Sequence, residues 1–322
     1  MTEIAVGRAL ISVSDKAGLT PFAVSLVDNG VTIVSSGGTA THLEEAGIPV
    51  TRVEDVTGAP EMLGGRVKTL HPRIHGGILA DLSKADHRRD LIDLGIGTFE
   101  LVVSNLYPFE DTIAKGADDS TAMENIDIGG PALIRAAAKN HQWVAVVVSP
   151  DRYDEVIEAI TSGGTTAEFR AELARDAFFR TARYDAAIVN WLHSKDGQDK
   201  LVLPLETRAL LRYGENPHQR AALYAVADTK GWWAGAVQLQ GKEMSFNNYA
   251  DAEAAWRLAN DLPGTSVAIL KHMNACGVAR ADTMAEAFTR AWNCDPTSAF
   301  GGVIACNGEI DGATARTISE HF

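Results

Sequence analysis

The sequence has few cysteines, no excess of basic residues and no long apolar run. Its three cysteines, Cys276, Cys294 and Cys306, include no Cys-x-x-Cys pair, so neither a disulfide framework nor a zinc site is indicated. With 29 Lys and Arg against 42 Asp and Glu, the formal net charge of -13 argues against a general nucleic-acid binder, because such proteins hold phosphates with clustered cations. Any phosphate that this chain binds must therefore be held locally.

The lack of long apolar segments bears on location. No stretch approaches the roughly 20 apolar residues that span a bilayer, and no basic region precedes an apolar segment at the start of the sequence. We therefore expect a cytoplasmic protein with reduced cysteines and no membrane partner.

Its 322 residues, 46% of them hydrophobic, suffice for two domains with separate cores. The polar run at residues 195–200 predicts domains at 1–196 and 197–322.

Strands and helices alternate through the first half of the chain. Buried strands are predicted at residues 8–13, 31–34, 49–53, 100–104 and 143–148, with helices at 19–27, 40–46, 84–94, 131–140 and 166–194, the last broken at most once. This alternation predicts an α/β domain with a parallel sheet. In such a sheet, ligands bind beyond the carboxyl ends of the strands, where helix N-termini present free N–H groups.

Three stretches rich in glycine and hydroxyl groups suit an anion. The sequence SDK at residues 14–16 follows the first strand, and SGGT at 36–39 follows the second; two ordinary capped helix starts, with Ser14 and Asp15 as one capping pair, would give the same pattern. Neither is a Walker loop or a Gly-x-Gly-x-x-Gly motif, so no nucleoside triphosphate or dinucleotide is indicated. The stretch MLGGRVKTLHP at 62–72 adds several donors, although a solvated basic edge strand would also fit.

Two further stretches carry groups suited to acid–base chemistry. In NLYPF at residues 105–109, the Asn and Tyr can face a ligand at the end of a strand, with packing of the tyrosine as the alternative. In DIGG at 127–130, Asp127 is either a helix cap or a catalytic carboxylate beside N–H groups that can hold a developing oxyanion. Lys139 lies about 15 Å away along the same predicted helix, so spacing alone does not bring it to Asp127.

The second domain offers two more candidates. LRYGENPHQ at residues 211–219 gathers polar side chains in a loop, and loops on a rigid scaffold often carry function. Lys271 and His272 follow the strand predicted at 266–270, where the histidine can move a proton and the lysine can hold negative charge; an accidental surface pair is the alternative. DPTSAFGG at 295–302 is a further glycine-ended turn.

These motifs resemble, in order and spacing, the bifunctional AICAR transformylase/IMP cyclohydrolase family. The motifs that resemble the cyclohydrolase half are SVSDKAG (12–18), SSGGT (35–39), MLGGRVKTLHP (62–72), NLYPF (105–109), IDIGG (126–130) and RAAAKNH (135–141). The motifs that resemble the start of the transformylase half are RYGENPH (212–218), KH (271–272) and residues 295–302.

The resemblance implies a methylglyoxal-synthase-like parallel-sheet domain followed by a cytidine-deaminase-like α/β domain, the latter incomplete because family chains continue further. The first would close the ring of 5-formamidoimidazole-4-carboxamide ribonucleotide to inosine monophosphate without a cofactor or metal. The second would formylate AICAR with 10-formyltetrahydrofolate as co-substrate. Family members act as homodimers on small ribonucleotides.

The resemblance also implies roles for matching residues. In the first domain it assigns proton handling and charge stabilisation to Lys68, Tyr107, Asp127 and Lys139, and substrate binding to Ser14, Lys16, Ser36, Gly37, Gly38, Thr39, Arg66, Thr69, Asn105, Ile128 and Gly129. In the second it assigns catalysis to Lys271 and His272, and nucleotide binding to Arg212, Tyr213, His218 and Asn248. Lys139 would reach the site through an early helix end, by its long stem or from the partner subunit. Ala275 departs from the family, which usually has proline there.

Two other classes share part of this pattern. A non-catalytic allosteric module of the same fold that binds a phosphorylated small molecule needs the anion loops, but not Asn105, Tyr107, Asp127 and Lys139 together. A zinc deaminase relationship for the second domain lacks the His-x-Glu and Pro-Cys-x-x-Cys signature. The sequence therefore favours cyclohydrolase chemistry.

Overall fold

The computed structural model describes residues 3–60, 62–196, 200–226 and 235–321. The chain divides into two compact units, and the division falls between Pro204 and Leu205. Of the polar run from which the domain boundary was predicted, residues 197–199 lie outside the described residues, whereas Lys195 and Asp196 end a helix. Each unit has its own sheet.

The first unit contains a five-stranded sheet. Its strands are β1 (Arg8–Val13), β2 (Thr32–Ser35), β3 (Thr51–Arg52), β4 (Leu101–Asn105) and β5 (Ala145–Val147). They lie in the order β3-β2-β1-β4-β5, and every neighbouring pair is parallel, which confirms the predicted parallel sheet. Because the chain order reverses at β1, the carboxyl ends of β1, β2 and β4 flank the point where ligands bind in such sheets.

Helices connect these strands and cover the sheet. They are α1 (Leu19–Asp28), α2 (Gly37–Glu45), α3 (Val53–Thr57), α4 (Pro72–Leu79), α5 (Ala85–Asp93), α6 (Phe109–Ala114), α7 (Asp119–Glu124), α8 (Gly129–Lys139), α9 (Tyr153–Thr161) and α10 (Ala167–Asp196). Leu10 and Ile11 of β1 and Val102 of β4 are almost fully buried. Such near-continuous apolar runs are typical of strands covered on both faces.

The capping of one helix and the start of another differ from the predictions. Helix α1 starts at Leu19, and its N-cap, Gly18, has a φ of 65° and no capping side chain, so the prediction that Ser14 and Asp15 cap it is wrong. Helix α2 starts at Gly37 with Ser36 as N-cap, rather than at residue 40. The glycine pair therefore forms the first turn of a helix, whose N–H groups have no partner within the helix.

Helix α10 is continuous over 30 residues. It packs against α6, α8 and β5 through a buried side that includes Leu173, Ala177 and Tyr184. The break that the sequence allowed is absent, and the helix supports two of the helices that follow candidate site loops.

The second unit has antiparallel strands. Its elements are β6 (Leu205–Leu210), β7 (Ala222–Val226), α11 (Phe246–Asp261), β8 (Ser266–Lys271), β9 (Asn274–Arg280), α12 (Met284–Trp292), α13 (Pro296–Ala299), β10 (Val303–Cys306) and α14 (Gly312–Ser319). Strands β6 and β7 form a hairpin, and the other three form a sheet in the order β10-β8-β9. Val267, Ile269 and Phe288 are fully buried in the core between this sheet and α12. Among the described helices of both units, none has the length and apolar character of a membrane span.

Arg170 of α10 stabilises the first unit from within. Its side chain is 2% exposed and donates to the carbonyls of His141, Gln142 and Thr165 and to the Thr165 hydroxyl. A buried acceptor that loses its donor costs free energy, and here several acceptors depend on one guanidinium.

We expect Arg170→Met to lower the free energy of unfolding by about 2–4 kcal/mol, because the substitution leaves these oxygens unpaired. Arg175→Met on the same helix is the matched control; Arg175 is exposed, so its change should stay within about 0.5 kcal/mol. Urea denaturation of both variants measures the difference. Equal losses in the two variants would contradict the role given to Arg170.

Candidate active site

A cavity of about 590 Å³ lies at the carboxyl ends of β1, β2 and β4 in the first unit. It is lined by these residues that the sequence selected: Ser14, Lys16, Ser36, Gly37, Gly38, Thr39, Arg66, Lys68, Thr69, Asn105, Tyr107, Asp127, Ile128 and Gly129. It is also lined by Ser12, Val13, Gly64, Gly65, Met123, Glu124, Ile126 and Gly130, which the sequence reasoning did not select as site residues. The topology thus brings together loops that are far apart in the chain.

Asn105 holds the loop that follows β1. Its Oδ1 accepts hydrogen bonds from the backbone N–H groups of Ser14 at 2.6 Å and Asp15 at 3.0 Å, and its Nδ2 donates to the Asp15 carbonyl at 2.9 Å. One Nδ2 hydrogen remains to meet a ligand. The carboxamide therefore fixes the loop that carries Ser14 and Lys16, in addition to lining the cavity.

Thr39 anchors the first turn of α2 to the end of β1. Its hydroxyl donates to the Val13 carbonyl at 2.9 Å and accepts from the Val13 N–H at 3.1 Å. Because this 4% exposed hydroxyl is engaged with backbone groups, it shapes the cavity wall. The free donors at this turn are backbone N–H groups at a helix N-terminus, which favour a bound anion.

Lys68 adds positive charge beside that turn. A Cβ built on Gly37 would lie 3.1 Å from the Lys68 ammonium nitrogen, so glycine at this position lets the lysine approach the helix start. Gly37 also has a φ of 53°, which favours glycine over other residues. The ammonium and the N–H groups of α2 form one positive region in the cavity.

The loop that carries Lys68 has an unusual backbone. Leu63, Gly64 and Gly65 have successive φ values of 51°, 61° and 87°. Arg66 follows and forms an ion pair with Glu124, with its Nε 3.2 Å from one carboxylate oxygen. Both side chains are about two-thirds exposed, at 67% and 62%, so the pair adds little stability. Glu124 thus holds Arg66 at the cavity rim.

Asp127 makes a contact at the start of α8 and also lines the cavity. Its Oδ1 accepts from the Gly130 N–H at 2.9 Å, which is a capping contact at the start of α8, and its carboxylate also lines the cavity. Burial raises the pKa of this carboxyl, whereas backbone N–H groups of Gly130, Tyr107 and Gly129 oppose the rise. A carboxyl with a raised pKa in a cavity is a candidate for proton transfer.

Lys139 is not part of this cavity. It is the last residue of α8, whose first residue, Gly129, lines the cavity, so the two lie about 15 Å apart along the helix axis. The explanation that the helix ends early is wrong, because α8 continues through Lys139.

In the second unit, Lys271 and His272 lie at a strained turn. The β8–β9 hairpin turns through His272 and Met273, whose φ values of 54° and 60° are uncommon for residues other than glycine. The Asp251 carboxylate accepts from the Met273 N–H at 2.6 Å, and Lys271 Nζ donates to the Phe300 carbonyl at 3.1 Å. Strained backbone of this kind is concentrated at functional sites.

The other second-unit candidates meet around Ser245. A hydrogen bond from Ser245, followed by the Arg212 guanidinium, lowers the pKa of Tyr213. Arg212 also lies over the Tyr213 ring, 4.9 Å from its centroid. Ser245 is the N-cap of α11, and Asn248 Oδ1 accepts from the Ser245 N–H and hydroxyl, which completes a capping box. His218 lies in the β6–β7 connection, and no described contact joins it to this group.

Two family models match successive segments of the chain. The model described as MGS-like domain matches residues 18–132, so the first unit contains an MGS-like α/β domain. The model described as AICARFT/IMPCHase bienzyme matches residues 137–322. The chain belongs to the AICARFT/IMPCHase bienzyme family.

Named relatives agree with this assignment. The bifunctional purine biosynthesis protein PurH of Mycobacterium marinum is 52% identical over 329 residues, which cover 98% of this chain and 62% of the relative. PurH of Rhodospirillum rubrum is 52% identical over 322 residues, with 98% and 61% covered. The crystal structure of ForH, 35% identical, covers 58% of this chain and 100% of its own, with a TM-score of 0.52. The chain thus spans less than two thirds of the length of these curated relatives.

Gly130 provides a test of how Asp127 is placed. A Cβ at Gly130 would overlap the Asp127 carboxylate and come within 2.8 Å of Leu106, whereas a Cβ at Gly38, in the first turn of α2, would meet nothing within 4 Å. We expect Gly130→Ala to lower the free energy of unfolding by about 1–3 kcal/mol through overpacking. Gly38→Ala should leave it unchanged or raise it by up to about 1 kcal/mol. Urea denaturation measures both, and the reverse order would contradict the contact between Gly130 and Asp127.

Proposed function

We propose that the first unit closes the ring of 5-formamidoimidazole-4-carboxamide ribonucleotide to give inosine monophosphate and water. The observation that carries the proposal is that one cavity combines an anion-binding helix start with Lys68, Tyr107 and Asp127. Membership of the AICARFT/IMPCHase bienzyme family and the relatives named as purine biosynthesis proteins support it.

The substrate phosphate binds at the first turn of α2. The backbone N–H groups there and the Lys68 ammonium supply donors and positive charge. The remaining residues proposed to hold the ribonucleotide are Ser14, Lys16, Ser36, Gly37, Gly38, Thr39, Arg66 and Thr69, all of which line the cavity. Fixing the phosphate orients the reacting groups.

Ring closure requires a new carbon–nitrogen bond and the loss of one oxygen. The carboxamide nitrogen attacks the formyl carbon, the formyl oxygen gains negative charge, and it leaves as water with one proton from each of the two nitrogens. Asp127 and Tyr107 exchange these protons, and Lys68 with the remaining Asn105 hydrogen and the N–H groups of Ile128 and Gly129 stabilises the oxygen. No electrons are transferred to a second molecule, so the reaction needs no redox cofactor.

Tyr107 and Asp127 also favour catalysis over simple binding. A regulatory module for a phosphorylated effector needs only the anion-binding loops, whereas here two groups capable of proton transfer line the same cavity. Lys139 lies away from this cavity in its own chain, so we assign any role of Lys139 to a partner subunit in a cytoplasmic homodimer.

We propose that the second unit contributes to formyl transfer from 10-formyltetrahydrofolate to AICAR. His272 accepts the amine proton, Lys271 stabilises the oxyanion, and Arg212, Tyr213, His218 and Asn248 hold the nucleotide. The strained turn at His272 supports this assignment, because it presents the histidine in a conformation that Asp251 maintains.

We expect Lys68→Ala to reduce turnover at least about 100-fold, because it removes the cation beside both the phosphate and the developing oxyanion. Lys115→Ala is the matched control, since Lys115 is exposed after α6 and outside the cavity. The formation of inosine monophosphate is followed by ultraviolet absorbance, with uncatalysed closure subtracted. A parent chain that binds the ribonucleotide without turnover would refute the proposed function.

Asp127→Asn should separate stability from activity. The Asn Oδ1 can still accept from the Gly130 N–H, so the cap remains, but turnover should fall at least about 100-fold because the proton acceptor is lost. Since burial raises the Asp127 pKa above its ordinary 3.8, ionisation destabilises the folded chain as pH rises through that interval. The variant should therefore be as stable as the parent or more stable at pH 7, with no difference in strong acid.

Unfolding curves at several pH values measure this change, and Asp93→Asn, at an exposed carboxylate that ends α5, is the control. A large loss of stability in Asp127→Asn at neutral pH would mean that the ionised carboxylate is structural.

A further inference from the structure

Tyr184 of α10 contacts the loop that carries Asp127. The side chain is fully buried. Its hydroxyl accepts a hydrogen bond from the Asp127 N–H at 2.8 Å and donates one to the Asn125 carbonyl at 3.2 Å. Burial raises the pKa of Tyr184 to about 12, so the hydroxyl keeps its proton near neutrality and can donate. One hydroxyl thus pairs with both the Asp127 N–H and the Asn125 carbonyl in the turn between α7 and α8.

The same side chain supports the loop that carries Tyr107. The Tyr184 ring packs edge-to-face against Phe109, with the centroids 6.0 Å apart. Phe109 starts α6, and its N–H donates to the Tyr107 carbonyl at 2.8 Å. The Tyr107 N–H in turn lies near enough to the Asp127 carboxylate to lower its pKa. Tyr184 therefore lies behind both residues proposed to exchange protons, although it does not line the cavity.

We propose that Tyr184 is a positioning residue, whose hydroxyl fixes the backbone of residues 125–127 and so directs the Asp127 carboxylate into the cavity. The inference rests on the proposed function for its catalytic consequence, but the placement of the loop can be measured without turnover. If the hydroxyl is removed, the buried Asp127 N–H and Asn125 carbonyl lose their partner. The turn must then move toward water or remain unsatisfied, and the carboxylate moves with it.

A second buried tyrosine provides the matched control. Tyr153 is 6% exposed, stacks on Phe22 and also has its pKa raised to about 12, but its buried hydroxyl has no hydrogen-bond partner among the described residues. Tyr153→Phe therefore removes the same atom from a similar environment without unpairing a backbone group. It also leaves the residues that line the cavity unchanged.

The first measurement is amide hydrogen exchange by NMR on the full chain, with Tyr184→Phe and Tyr153→Phe compared with the parent. Exchange at Asp127 should accelerate at least about tenfold in Tyr184→Phe, relative to slow amides of β1, and should not change in Tyr153→Phe. Unchanged Asp127 exchange in Tyr184→Phe would overturn the inference whatever the activity.

The second measurement is the kinetics of ring closure. Tyr184→Phe should lower kcat about tenfold while KM stays within about twofold, because the phosphate site is untouched and only the placement of a reacting group changes. Unchanged kcat, or an equal loss in Tyr153→Phe, would overturn the positioning role and point to general packing. A parent chain without turnover would refute the proposed function instead, and the exchange comparison alone would then decide whether Tyr184 places Asp127.

Discussion

The parallel pairing of β1 with β2 on one side and β4 on the other determines where the candidate residues of the first unit lie. Three strands end side by side at the same edge of the sheet, so loops more than ninety residues apart in the chain meet there, as the contact between Ser14 and Asn105 shows. The pairing depends on buried apolar side chains such as Leu10 and Val102. A substitution that shifted this register would therefore move the whole cavity rather than one residue.

Much of this arrangement follows from local sequence. Buried strands of parallel sheets are short apolar runs, and glycine with hydroxyl residues after them indicates where a loop can hold an anion. The partners of each side chain do not follow, because they depend on distant segments. Glu124 and Tyr184 gave no local signal, since the first pairs with Arg66 and the second lies on a helix that looked purely structural. Gly130 belongs to a selected motif, but its close approach to Asp127 was not predictable. The start of α2 was misplaced because glycine has a low helix propensity.

The cavity also shows that lining a site and acting on a ligand are different roles. Thr39 and Asn105 spend most of their hydrogen-bonding capacity on the backbone of the loop after β1. One carboxylate oxygen of Asp127 accepts from the Gly130 N–H at the start of α8. The same residue also lines the cavity. A motif identifies such residues without distinguishing these uses, because the difference lies in hydrogen bonds that only the folded chain forms. The second unit follows the same rule, since the Asn248 side chain completes the capping box of α11.

The pair between Arg66 and Glu124 has a consequence for the proposed entry of a phosphate. The chain carries a formal net charge of -13, so an approaching phosphate is repelled at long range and attracted only near the cavity. At the rim it meets an arginine that already has an anionic partner, and both are largely in water. In the proposed entry, the phosphate replaces the Glu124 carboxylate at Arg66, so the guanidinium keeps an anionic partner. Under this proposal the rim acts as an ion exchanger, with Glu124 as the resident counter-ion.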